Sequence, residues 1–103
     1  MKLGACCSTG VGSSFMVDMN MQDVLKEIGR SDVETTHIDL SGLNPSVADH
    51  FFVGRDMYDA VANVVGKDSV TELNSIIDKE ELKEKIQAYL NSADQKVKVI
   101  TNE

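Results

Sequence analysis

Tryptophan is absent from this chain, and phenylalanine and tyrosine together make up only 5% of it, so the core must be built from valine, isoleucine, leucine, alanine and methionine. Basic residues are scarce as well. Ten Lys and Arg stand against 17 Asp and Glu, and the formal net charge of -7 argues against nucleic acid or an anionic membrane as a direct partner. No stretch approaches the roughly 20 consecutive apolar residues of a membrane span, and the opening residues read as a strand instead of a signal peptide. The only cysteines, Cys6 and Cys7, are neighbours. A disulfide between adjacent residues would strain the peptide joining them, so two reduced thiols are expected, as in a cytoplasmic protein. His37 and His50 share no metal-ligand spacing with the cysteines or with each other. Repeats and low-complexity segments are also missing, and the single proline, Pro45, marks a loop. What is present is 103 residues, 42% of them hydrophobic: the size and composition of one domain with a real core.

Along the chain, MKLGAC (1–6) is a short apolar run that reads as a first strand. SSFMVDMNMQDVLKEIG (13–29) reads as a helix, with Val17, Met21, Val24 and Ile28 forming one apolar stripe. Ser13 or Ser14 can cap its start, and Gly29 stands where a C-terminal glycine belongs. VETTHI (33–38) is rich in β-branched residues and reads as a strand. HFFVG (50–54) suits a strand buried on both faces. MYDAVANVV (57–65) reads as a helix and SVTEL (69–73) as a weak strand. DKEELKEKIQAYL (78–90) is a helix with Asp78 as its cap, Glu81 completing a capping box, Ile77 stapling to Leu82, and Leu82, Ile86 and Tyr89 facing inward. The domain is thus read over residues 1–91, with a polar tail over 92–103. Strands alternating with helices imply a parallel sheet covered on both faces, whose loops after each strand share one rim. Ligands of such sheets bind at that rim, near the point where strand order reverses.

The run CCSTGVGSS (6–14) follows the first strand and so lies on that rim. Glycines at alternate positions, Gly10 and Gly12, let backbone N–H groups turn inward, and a helix N-terminus follows. A thiol held there forms its thiolate more readily than a free cysteine does. The same amides can hold a phosphoryl group attached to that sulfur, which makes a cysteine that picks up phosphate the natural chemistry. Counting from Cys7 gives a Cys-x5 loop ending at Ser13, where the tyrosine phosphatases place an Arg that clamps phosphate. Without that fork the loop should hold a phosphoryl group but hydrolyse it poorly. Nor is it a Walker loop, because no Lys follows Gly12.

CSTGVGSSFMVDMNMQDVLKEIG, together with VGRDM after the third strand and LNSIIDKEELKEKI near the end, resembles the enzyme IIB subunits of the bacterial sugar phosphotransferase system over nearly all of residues 1–91. The nearest resemblance is to the L-ascorbate type, whose members read like C-G-x-G-x-G-S-S-F-M. The resemblance implies a four-stranded parallel α/β fold in strand order 2-1-3-4, flanked by helices and similar to low-molecular-weight tyrosine phosphatases. It implies a phosphocysteine at Cys7, phosphate contacts from Ser8, Thr9, Gly10, Val11, Gly12, Ser13 and Ser14, and no cofactor. Phosphate would arrive from a phosphohistidine on enzyme IIA and leave to a sugar held by the membrane transporter, enzyme IIC. The protein would then be cytoplasmic, without inserting into the membrane itself, and recruited to the inner face of the membrane through IIC. Ser8 departs from the family pattern, which commonly has Gly after the reactive cysteine.

Other residues carry plainer readings. Cys6 is expected to be a buried, inert thiol. Gly10 and Gly12 also serve a tight strand-to-helix turn, and Ser13 and Ser14 also serve as caps. Arg55 shares the rim and is a candidate contact for phosphate or a partner, with a solvated side chain as the alternative. Met16, Met19 and Met21 are expected to be mostly core, with some share in a docking patch. Two functions compete with a relay subunit. One is a cysteine phosphatase of related fold, disfavoured by Ser13 and by the lack of a late Asp-Pro loop. The other is a regulatory domain that binds phosphate without turnover.

Overall fold

The computed structural model describes residues 1–7 and 13–101; the side chains of Ser13, Ser14 and residues 94–101 lie outside that description. Strand β1 (Lys2–Cys7) leads to helix α1 (Ser13–Glu27), β2 (Glu34–Asp39), β3 (His50–Gly54), α2 (Tyr58–Val65), β4 (Val70–Leu73) and α3 (Lys79–Thr101). Short 3-10 turns at Leu40–Gly42 and Lys67–Ser69 precede β3 and β4. All pairings are parallel, and the sheet runs β2-β1-β3-β4, the order expected. The chain moves one way from β1 to β2 and then crosses back to β3, so the switch point lies beside β1.

Each sheet face buries its own cluster. Leu3, Ala5 and Phe52 face α1 and α3, meeting Val17, Met21 and Val24 from α1 and Leu82, Ile86 and Leu90 from α3. On the opposite face Cys6, Phe51, Val53 and Val70 meet Met57 and Val61, with Leu43 and Ala48 from the loop before β3. β3 is buried at all five positions, which explains its unbroken apolar run. Gly4 makes this packing possible. A Cβ there would sit 2.8 Å from the Phe51 ring and 3.0 Å from Ala48 Cβ, closer than side-chain atoms approach.

The helix ends follow local chemistry. Gly29 adopts φ +75°, and the Arg30 and Gly29 amides donate to the carbonyls of Leu25 (2.8 Å) and Lys26 (3.3 Å), closing α1 in a Schellman motif. Asp78 Oδ1 accepts the Glu81 amide at 3.1 Å, as a cap should. Two expectations need correction. Ile77 is 70% exposed and cannot staple to the buried Leu82; its neighbour Ile76 packs on the core instead. The last helix does not stop near Leu90 but continues to Thr101, because QKVKVI contains no Gly or Pro to end it.

Candidate functional site

Because the strands are parallel, their C-terminal ends share one rim. Cys7 is level with Asp39 of β2, and Gly54 of β3 with Leu73 of β4. Continuing the register from Leu3–His50 and Gly4–Phe51 brings Cys7 level with Gly54. Cys7 thus ends a central strand at the switch point, with five residues between it and the first residue of α1. Side chains alternate along a strand, so Cys7 shares the face of Leu3 and Ala5, under α1, while Cys6 projects the other way. Neither thiol is in a disulfide, and both are buried, at 4% exposure for Cys6 and 5% for Cys7. Burial, with smaller contributions from the charges of Cys7 and Asp39, pushes the Cys6 thiol up to about 11, which keeps it protonated and inert.

Ser8, Thr9, Gly10, Val11 and Gly12 lie outside the described residues, as do the side chains of Ser13 and Ser14. What the structure places is the two ends of that loop: a thiol at the close of β1 and the start of a 15-residue helix. The first turn of α1 carries no acidic side chain, so its positive end is not neutralised from within, and Lys26 in the last turn matches the opposite pole.

Arg55 is exposed in the turn after β3 and lines an open groove of about 450 Å³ with Asp56 and residues 73–77. The groove's wall is fastened by Glu81. Its carboxylate accepts the amides of Asn74 at 2.7 Å and Ser75 at 3.0 Å and pairs with Lys85 at 2.8 Å, and Lys85 also donates to the Glu72 carbonyl at 2.5 Å. The Lys85 bond first, then the Asn74 and Ser75 amides, hold this carboxyl down at about 2. On the α1 side, Met21 is core, whereas Phe15, Met16 and Met19 are exposed and give the rim an apolar flank. Next to them the buried Asp18 binds His37 of β2 at 2.6 Å. His50 lies far from the rim, at the opposite end of β3, buried against Tyr89. Among the described residues no group of three or more His, Cys, Asp or Glu could hold a metal ion.

Asp18 and the reach of Glu81 were not anticipated. Asp18 directly follows a stripe position, and its donors Thr35 and His37 stand two apart on a strand, hence on one face; that pairing was the available signal.

A family model described as the PTS system lactose/cellobiose-specific IIB subunit matches residues 2–88. The chain belongs to this family. As a PTS IIB protein it is a phosphotransferase component, a phosphoryl-transfer relay in a sugar phosphotransferase system that works with IIA and IIC partners. No curated protein matches it significantly. No helix among the described residues is long and apolar enough to cross a membrane.

Proposed function

We propose that Cys7 is the phosphoryl carrier of this IIB protein, within a phosphocysteine domain spanning residues 1–91 to which residues 92–103 are an appendage. Its thiolate attacks the phosphorus of a phosphohistidine on enzyme IIA. The S–P bond forms as the P–N bond breaks, and the imidazole leaves with the electron pair. In the second step a sugar hydroxyl presented by IIC attacks the same phosphorus and gives its proton to solvent, the P–S bond breaks, and the thiolate is restored. The amides of residues 8–14 would hold the phosphoryl oxygens, and Arg55 would contact either phosphate or partner. Transfer between proteins needs the reacting atoms in line and close, so both partners would dock on the rim around Cys7, with the protein on the cytoplasmic side and recruited to the membrane through IIC.

The observation that carries this reading is the position of Cys7 at the end of a central strand, at the switch point, feeding a helix N-terminus. Ser13, in place of the phosphatase Arg, favours relay over hydrolysis. The finer assignment, an L-ascorbate-like sugar, rests on the resemblance of residues 7–16 to the L-ascorbate type. Labelled phosphate supplied by phosphorylated IIA should remain on the wild-type protein and on Cys6→Ser, and should be absent from Cys7→Ser. Label on Cys7→Ser would refute the assignment, and prompt release as inorganic phosphate would indicate a phosphatase. Reconstitution with IIC and a panel of sugars tests the sugar.

A further inference from the structure

Among the described residues Asp18 is the only buried carboxylate. Burial alone would raise its pKa, but the Thr35 hydroxyl, the His37 ring and the Gln22 amide, which all donate to it, bring the carboxyl below the usual range. Oδ2 lies 2.6 Å from His37 Nδ1, and Oδ1 accepts from Gln22 Nε2 at 3.3 Å. The His37 ring in turn stacks on Phe15 with centroids 5.4 Å apart and planes 10° from parallel. Phe15 is in the first turn of α1 and Asp18 in the next, so one residue of β2 grips the start of the helix twice.

Such a pair is a poor source of stability. Taking the carboxylate out of water costs about as much as its hydrogen bonds return. Its effect is on placement. The contacts of the stripe Val17–Met21–Val24 are non-directional, whereas a carboxylate held by three donors adds fixed distances and angles. Only five residues separate Cys7 from Ser13, so the seat of the first turns of α1 sets where the helix N-terminus stands relative to Cys7.

We infer that Asp18 and His37 are positioning residues for phosphoryl transfer: their carboxylate–imidazole contact, with Phe15 stacked on the ring, fixes the seat of the first turns of α1 on β2 and so where the helix N-terminus stands relative to Cys7. This rests on the reading of Cys7 as the carrier. Neither side chain is assigned a contact with phosphate.

Two variants of His37 separate its functions. His37→Phe keeps an aromatic ring for Phe15 and loses the donor to Asp18. His37→Asn places an amide N–H where Nδ1 was and loses the ring. With phosphorylated IIA varied, His37→Phe should lower the saturating rate about tenfold or more, since small misplacements cost that much, and leave the half-saturating concentration unchanged. His37→Asn should recover most of the rate. Iodoacetamide alkylation of Cys7 without any partner should slow in His37→Phe and recover in His37→Asn. Should His37→Phe not fold, by circular dichroism, the isosteric Asp18→Asn takes its place and must show the same pattern of rates. An unchanged saturating rate, a change confined to half-saturation, or no rescue by His37→Asn would overturn the inference. Phosphate acceptance by Cys7→Ser would instead overturn the carrier assignment, while the alkylation arm, which involves no phosphate, still decides whether the pair positions the thiol.

Discussion

Lowering the pH from 7 to 5 should weaken this protein through His50. The ring is buried at 5% exposure, stacked 4.1 Å from Tyr89 and edge-on to Phe52 at 5.2 Å. Nε2 lies 2.7 Å from the Thr71 hydroxyl, while Nδ1 has no hydrogen-bond partner among the described residues. In the Nε2–H tautomer only a lone pair is stranded at Nδ1. Protonation would strand a charged N–H in an apolar setting, and burial accordingly pushes the pKa from 6.5 down to about 4. The unfolded chain binds that proton from pH 6.5 downward and the folded chain only near 4, so the neutral ring's stability is whole above 6.5 and drains away between those values. The loss is about 2 kcal/mol at pH 5 and about 3 kcal/mol at full protonation, a large part of the stability of a small domain. His50→Gln keeps a polar atom near Thr71 and does not titrate. Urea unfolding of both proteins at the two pH values cancels the carboxylates they share, and the wild type should lose about 2 kcal/mol more than His50→Gln. Equal losses would show that His50 accepts its proton in the folded state and that its burial is not felt as described.

Three further outcomes are expected. Gly4→Ala drives a methyl into Phe51 and Ala48 and should destabilise by about 1–3 kcal/mol in the same unfolding assay; a neutral result would mean that the β3 core yields easily. Glu81→Gln removes the charged acceptor of the Asn74 and Ser75 amides and should cost about 1–3 kcal/mol. Because the Glu81 carboxyl is held at about 2, against an ordinary 4.5, that contribution is whole above pH 4.5 and lost as the pH falls through about 2, which unfolding curves across that range would follow. Alkylation of the native protein at pH 8.5 should spare Cys6, whose thiol sits at about 11, and label it only after denaturation; mass mapping that finds Cys6 modified in the native state would contradict its burial.

Much of this architecture was legible in the residues. HFFVG announced a strand buried on both faces, and β3 spans those same positions. Val17, Met21 and Val24 marked the inner face of α1, and Gly29 its end, because periodicity and φ preference act locally. The strand order followed from alternation together with resemblance. What escaped depends on the third dimension. Ile77 looked like a staple from its spacing alone, but the turn before α3 points Ile76 inward instead. Glu81 was expected to complete a capping box; its carboxylate reaches past Asp78 to Asn74 and Ser75, amides whose proximity depends on how the turn is bent. Asp18 drew no expectation, because its donors come from a strand 17 and 19 residues away. At the site itself, Cys6 was read as the buried, inert thiol, and it lies at 4% exposure in the cluster with Phe51 and Val53.

β2 closes one side of the sheet, and its outer backbone groups are open to another strand. Exposed edges of this kind seed aggregation unless something repels a newcomer. Glu34 and Asp39 stand at the two ends of β2. If two copies met edge to edge, antiparallel and in register, Glu34 of each would face Asp39 of the other, setting carboxylate against carboxylate at both ends of the joint. The acidity of the chain therefore has a local use at this border, setting like charge against like charge when a second copy approaches.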